Sequence, residues 1–344
     1  MKARDLRLLV MHVSTRCDQT CAHCAIWKGN GKNAHQLGVA ARLDLIREAH
    51  RLGARSVLFT GGEPLLCDHI ETLARAAQGL GLSVQIATNG LGLSRALPWL
   101  AETVDEIYVS LEGPETVHDR VRGSGMFSRL RDSLAAVRAQ LGRPRLAGRS
   151  VISSRNAAVL CETVAAARAL GLDSISFLAV DLATDAFGGD PREREPLRPT
   201  EADVAALRAE IARLTATFDL GGFVIEDRAR LLRMAAAFLE DTALRRAPAC
   251  NAPEWSSVVE ADGAVRPCFF QPAAGRVGDS VSLAGVRNSE AYATALRGLG
   301  PGNANCASCV CPKHVPTGVG AVRGRVAAIL ARARGGRPRP GVPA

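Results

Sequence analysis

Apolar and polar positions switch between two periods along the first 180 residues. Short runs rich in β-branched residues lie at Leu6–Val13, Ser56–Thr60, Ser83–Thr88, Glu106–Leu111, Arg149–Ser153 and Ser174–Val180, and read as strands. Between them, helical spacing recurs at Ala40–Leu52, Ile70–Gly81, Ser94–Glu102, Phe127–Leu141 and Ala158–Gly171. Gly53, Gly81, Gly142 and Gly171 stand where helices stop, the place that favours a left-handed residue. Six strands alternating with helices predict an α/β fold with a parallel sheet and right-handed crossovers. The pattern leaves a doubly wound sheet and a barrel both open.

Past residue 180 the texture changes. Asp181–Pro199 is rich in Gly, Pro and charge and reads as a linker or an active-site loop. Two helical stretches follow, Thr200–Thr217 with Thr200 as N-cap, and Arg228–Arg246. After Pro248, Trp255–Glu260 and Ala264–Phe269 read as strands joined by the hairpin turn Ala261-Asp262-Gly263. The expected organisation is a core over 1–199, a helical connection over 200–249, a cysteine-rich module over 250–320 and a basic, disordered tail over 321–344.

With 344 residues, 47% of them hydrophobic, the chain can bury a large core. No apolar run approaches the roughly 20 residues of a membrane span, and no secretory signal is evident, so a soluble cytoplasmic protein is expected. In such a chain ten clustered cysteines point to metal before disulfides. Of the net charge of +9, seven basic residues from Lys313 onward, with no acid among them, account for all but about +2. No aromatic residue interleaves with those arginines to stack bases, which argues against a nucleic-acid partner.

The chemistry is concentrated in Cys17-Asp-Gln-Thr-Cys21-Ala-His-Cys24, directly after the first strand. Three soft thiolates on eight residues suit an iron–sulfur cluster with one iron left open; a zinc knuckle or packed core thiols are the alternatives. Gly61-Gly62-Glu63-Pro64 closes the second strand, its glycines permitting a close backbone approach and Glu63 supplying an acceptor for an ammonium group. Thr88-Asn89-Gly90 and Ser110-Leu111-Glu112-Gly113 close the third and fourth strands. Cys67 and Cys161 read as packed thiols.

The C-x3-C-x2-C spacing, with Gly61-Gly62-Glu63-Pro64 at the next strand end, resembles the radical S-adenosylmethionine (radical SAM) superfamily. The resemblance runs from residue 6 to about 312. It implies a partial (β/α)6 TIM-like barrel with its chemistry at the C-terminal strand ends. Cys17, Cys21 and Cys24 would hold a 4Fe-4S cluster whose open iron chelates SAM. Gly61, Gly62, Glu63 and Pro64 would meet the SAM amino group, and Thr88, Asn89, Ser110 and Glu112 its methionine or ribose. Asn156, after the fifth strand, could also approach the cofactor.

Downstream, Cys250, twelve residues, Gly263, four residues and Cys268, then Cys306-Ala-Ser-Cys309-Val-Cys311, resemble the SPASM or twitch extension of that superfamily. Five thiols imply the shorter twitch form with one auxiliary 4Fe-4S cluster on Cys250, Cys268, Cys306 and Cys309. Cys311 would be spare or substitute for one of these; a four-cysteine zinc site is the rival. With the first motif beginning sixteen residues in, no peptide-recognition domain is expected before the barrel. The final Val342-Pro343-Ala344 departs from the Gly-Gly end of the molybdopterin-pathway cyclase.

The implied activity is reductive cleavage of SAM to a 5′-deoxyadenosyl radical. Hydrogen abstraction from a small sugar- or aminocyclitol-like substrate follows, with the auxiliary cluster accepting an electron: an oxidoreductase fed by a flavodoxin- or ferredoxin-type reductant. A maturase that crosslinks or epimerises a ribosomal peptide, and a non-catalytic cluster-bearing scaffold, are the alternatives. The residue that takes the substrate proton is not identifiable in the sequence.

Overall fold

The computed structural model describes residues 5–29, 36–239, 250–278 and 280–300, together with residues 303, 306 and 309. Cys311, the last seven residues (240–246) of the Arg228–Arg246 helical stretch and the basic tail lie outside the described residues.

Six strands and their intervening helices follow the expected order. They are β1 (Leu8–Ser14), α1 (Val39–Arg51), β2 (Ser56–Gly61), α2 (Ile70–Gly79), β3 (Ser83–Thr88), α3 (Leu93–Thr103), β4 (Glu106–Ser110), α4 (Glu115–Arg122), α5 (Met126–Arg138), β5 (Arg145–Ile152), α6 (Leu160–Ala169) and β6 (Ser174–Ala179). The strands pair in parallel, each with its sequence neighbour. Leu9, Met11, Val57, Phe59, Val84, Ile86, Ile107 and Val109 are buried in the hydrophobic core. Strand side chains alternate in direction, so His12, Thr60, Gln85, Tyr108, Ser110 and Arg149 occupy the opposite, inner face. Val10, Leu58 and Ala87 share that face, so it combines apolar walls with a few polar groups, the mixture typical of a ligand pocket.

α4 has no counterpart among the expected helices. Pro114 stands at its N-cap with Glu115 in the first turn, and Val117 and Val121, four apart, are buried. Its eight residues are too short for helical spacing to emerge from the sequence.

α7 (Glu201–Thr217) opens on the expected Thr200 cap, with a full capping box to Asp203, and α8 (Arg228–Phe238) follows. The expected Asp181–Pro199 loop folds around Arg194. This buried side chain donates to Asp181 O at 2.8 Å and Gly188 O at 2.9 Å, and also to Thr184 O.

Trp255 ends a short helix, α9 (Ala252–Trp255), whereas the pattern placed it in a strand; its indole donates to Asn251 Oδ1 at 3.0 Å. β7 (Ser256–Val259), β8 (Ala264–Arg266) and β9 (Gly275–Arg276) follow. β8 stops short of Phe269 because Pro267 has no N–H to extend the ladder. β7 and β8 form the expected antiparallel hairpin, with Gly263 at φ +90° in its turn. β7 also pairs in parallel with β1. Among the described residues the nine strands thus form one sheet, β6-β5-β4-β3-β2-β1-β7-β8-β9, which does not close on itself.

α10 (Leu283–Arg287) and α11 (Glu290–Arg297) complete the described chain. α1 reaches across to cap α10: Glu48 accepts from the backbone N–H groups of Leu283 and Ala284 at 2.9 and 2.8 Å. Glu48→Ala should therefore lower stability by about 0.5–2 kcal/mol, the range for a lost helix N-cap, measured by urea unfolding. An unchanged midpoint would show that this cap does not tie α10 to the barrel.

Candidate functional site

The eight-residue loop from Cys17 to Cys24 leaves the C-terminal end of β1 and is fastened from three neighbouring elements. From β2, Gly62 N donates to Ser14 O and Glu63 N to Arg16 O, both at 2.7 Å. From α4, Val121 O accepts from Ala22 N at 2.9 Å. From the loop after β6, Phe187 O accepts from Ala25 N at 2.8 Å and faces Cys24 Sγ at 3.7 Å. The glycines are needed for this fit. A Cβ on Gly61 would lie 2.4 Å from Ser14 O, and one on Gly62 2.2 Å from Arg16 O. The close approach they permit in this structure is to the cysteine loop.

Glu63 is buried at the end of β2. Its Oε1 accepts from Leu65 N at 3.0 Å and Thr88 Oγ1 at 2.7 Å, and its Oε2 from Asn89 N at 2.7 Å. Burial pushes its carboxyl up to about 7 despite these donors. Asn89 reaches onward from its side-chain amide to Asp18 Oδ1 at 2.6 Å. Glu63, Thr88 and Asn89 are thus one network touching the cysteine loop, with Pro64 buried beside it. Ser110 ends β4, half-buried on the inner face.

Glu112, fully buried, faces a residue the motif reading did not include. Arg122 on α4 donates to Glu112 Oε1 from Nε at 3.0 Å and Nη2 at 2.6 Å, and from Nη1 to Gln19 Oε1 at 3.0 Å and Cys21 Sγ at 3.5 Å. Val151 N fixes the other carboxylate oxygen at 2.8 Å. Burial works against the Glu112 carboxylate, but the Arg122 charge, nearby His23 and the hydrogen bonds from Val151 N and Arg122 together hold the group below its usual range. Asn156 donates to Glu112 O and Val151 O, each at 3.0 Å.

Burial raises all three loop thiols, Cys17 to about 12 and Cys24 to about 11, with Cys21 also up. Each thiolate would sit in a nonpolar site beside the others' charge, and bound iron would supply the missing positive charge. The soft donor set therefore fits an iron–sulfur cluster. Among the described residues, no three histidine, cysteine, aspartate or glutamate side chains converge on a single-ion site. Thiolates that each bind a different iron of a cluster need not converge in that way.

The second cysteine group lies beyond β8. Burial also raises Cys268, to about 11, and the neighbouring charges of Cys250 and Cys306 add to the effect. Cys306 Sγ accepts from Gln271 Nε2 at 3.4 Å, and Cys309 N donates to Cys306 O at 3.2 Å. Phe269, next to Cys268, stacks on Phe187 (centroids 6.1 Å apart) and packs on His12 at 5.3 Å. His12 Nδ1 lies 3.3 Å from Glu260 Oε2, at the end of β7. A polar cavity of about 290 Å³ opens between Thr15 and the hairpin turn.

Residues 11–152 match the Radical SAM superfamily model. The chain is 39% identical over 122 residues to GTP 3′,8-cyclase of Mycobacterium marinum, covering 34% of this chain and 33% of that protein. It is 35% identical over 155 residues to GTP 3′,8-cyclase 2 of Mycobacterium tuberculosis, covering 42% and 40%. The chain thus spans a third to two-fifths of the curated relatives it matches. Two solved structures share its fold. Streptococcus suis SuiB bound to S-adenosylmethionine has TM-score 0.65 and 17% identity, over 89% of this chain and 71% of that one. Native anSMEcpe with bound AdoMet has TM-score 0.60 and 16% identity, over 85% and 83%. Among the described residues no helix is long and apolar enough to cross a membrane. The radical SAM match thus covers residues 11–152, the part of the chain that carries the Cys17–Cys24 loop and the Gly61–Glu63 strand end.

Proposed function

We propose that this protein is a radical SAM oxidoreductase acting on a small polar substrate, with a second iron–sulfur cluster taking part in the oxidation. The observation that carries this reading is that Gln271 links Cys268 and Cys306, its N–H donating to Cys268 O at 3.3 Å and its side-chain amide to Cys306 Sγ at 3.4 Å, just past a hairpin whose first strand pairs with β1, the strand that leads into the first cysteine loop. Cys17, Cys21 and Cys24 would hold the first cluster; Cys250, Cys268, Cys306 and Cys309 would hold the second. Cluster and SAM together supply a 5′-deoxyadenosyl radical able to remove hydrogen from an unactivated C–H bond.

The chain's own residues position and enclose. Gly61, Gly62 and Glu63 clasp the loop; Thr88 and Asn89 orient the Glu63 carboxylate toward an incoming ammonium group. Phe187 and Phe269 form an apolar wall that limits water between the cysteine groups. The polar groups of the inner face, with Tyr108 and Arg149 stacked 4.2 Å apart, suit a hydroxylated or charged small molecule. A soluble one-electron donor of flavodoxin or ferredoxin type would reduce the first cluster.

The direct test is anaerobic reconstitution, incubation with SAM and separately with myo-inositol, an aminocyclitol, GTP or a short peptide, and detection of 5′-deoxyadenosine and oxidised product. GTP is included because of the named activity of the relatives. An oxidised cyclitol supports the reading; turnover of GTP alone, or of peptide alone, replaces it.

Reconstituted protein should contain about eight irons per chain, and the triple Cys17, Cys21 and Cys24 to Ala variant about four, with SAM cleavage abolished. About four irons in the parent together with stoichiometric zinc would remove the second cluster from the proposal.

Glu63→Gln should weaken SAM binding by about 1–3 kcal/mol, the range for a charged hydrogen bond, while iron content stays unchanged. Because the Glu63 carboxyl sits near pH 7, the parent's SAM affinity should fall as pH drops through about 7, and the Gln variant's should not. The same raised value means this group favours the ligand-free fold below about pH 4.5 and loses that contribution as pH rises through about 7. Equal affinity in parent and variant across this range would leave Glu63 as an internal fastener only.

Cys268→Ala should still yield 5′-deoxyadenosine while oxidised product falls to background. Circular dichroism and SAM affinity serve as folding controls. Full product turnover by a well-folded variant would favour an epimerase or isomerase that recycles the electron.

A further inference from the structure

The buried Glu112–Arg122 pair is hard to explain as a source of stability. Taking both ions out of water costs several kcal/mol each, and hydrophobic replacements of such pairs are often neutral or stabilising. Its geometry is directional. Two guanidinium N–H groups are locked onto Glu112 Oε1, and the remaining terminal nitrogen points away, onto Gln19 and the Cys21 sulfur. Val151 N and Ser150 Oγ anchor the far carboxylate oxygen at 2.8 and 3.5 Å, so the fork cannot swing off the thiol. α4 itself is pinned to the loop through the Val121–Ala22 backbone bond. A fixed positive group therefore lies on a cluster-ligand sulfur, with its counterion on the side away from that sulfur.

We propose that Arg122 is a positioning residue that sets the reduction potential of the cluster on Cys17, Cys21 and Cys24, through its N–H···S bond to Cys21, and that Glu112 opposes and orients it. This rests on the reading that these thiols hold a cluster. Hydrogen bonds to cluster sulfurs and nearby positive charge favour the more negative, reduced state. Loss of Arg122 should therefore make the cluster harder to reduce, and loss of the Glu112 charge should make it easier. Opposite signs from two adjacent variants are not what local damage would produce.

The test is a redox titration of reconstituted full-length parent, Arg122→Met and Glu112→Gln without SAM, followed by electron paramagnetic resonance. The relevant signal is the one that changes when SAM is afterwards added, and iron is counted in every sample. The expected result is a shift to more negative potential for Arg122→Met and to more positive potential for Glu112→Gln, at parental iron content. Should Arg122→Met alone lose iron, Arg122→Gln is read in its place. It keeps a donor for Cys21 but no charge, and should give a smaller negative shift. Unmoved potentials at full iron content, shifts of the same sign, or iron loss in both charge variants would overturn the assignment while leaving the proposed function standing. A parent that loads no iron on this loop would overturn both, and iron analysis of the Cys17, Cys21 and Cys24 to Ala variant separates that case.

Discussion

The structure depends on a backbone fit between Ser14–Arg16 and Gly61–Glu63. Two hydrogen bonds of 2.7 Å hold the strand ends together, at a separation where any β-carbon on Gly62 would collide with the Arg16 carbonyl. A short loop carrying three buried thiols cannot build its own core, so its shape must be imposed from outside. β2 supplies the tightest contact, α4 and the Phe187 loop supply the others, and all three draw on the parallel sheet. Adjacent strand ends in such a sheet lie near one another, which brings residues 14, 61, 88 and 110 together despite their separation in sequence.

This constraint has an electrostatic consequence. Enclosing the thiols lifts them toward the neutral form, and enclosing Glu63 does the same to a carboxyl. The one buried cation touching a loop thiol, among the described residues, is Arg122, and its charge is largely committed to Glu112. The site therefore favours a bound group that brings positive charge to the sulfurs, the demand a cationic iron core meets. Glu112 and Arg122 adjust that demand from behind the loop, and Glu63 adjusts it from the opposite side.

What was legible in the sequence was local. Cysteine spacing, paired glycines at a strand end and an Asn-Gly turn each lie within eight residues, and each marks a strand end that the structure places on one edge. The barrel helices and the Thr200 cap were legible for the same reason. α4 was not, since two valines in an eight-residue helix leave too little periodicity. Arg122 was hidden with it, because a lone arginine 98 residues from Cys24 carries no spacing signal. The Phe187 contact lay in a segment whose glycines and prolines suggested a linker, and its order comes from the segment's own Arg194, whose burial no spacing pattern announces. Glu63 shows the opposite case: its position was legible, but its three internal donors were not.

The hairpin beyond residue 250 presents the same problem on a larger scale. Its turn could be read from Asp262-Gly263, yet nothing in Ser256–Val259 announces that it pairs with β1. That pairing is between strands about 250 residues apart, and it sets the direction of everything after it. Because β7 runs parallel to β1, its end and the hairpin turn face the edge from which the first cysteine loop springs. His12 and Glu260 join the two strands there. Phe269 then folds back onto His12 and Phe187, and Phe187 touches the first cysteine loop through its carbonyl. The two cysteine groups are therefore joined by one aromatic layer and by one continuous sheet. A displacement of β7 against β1 would disturb both groups together, so the distance between them is a property of the sheet.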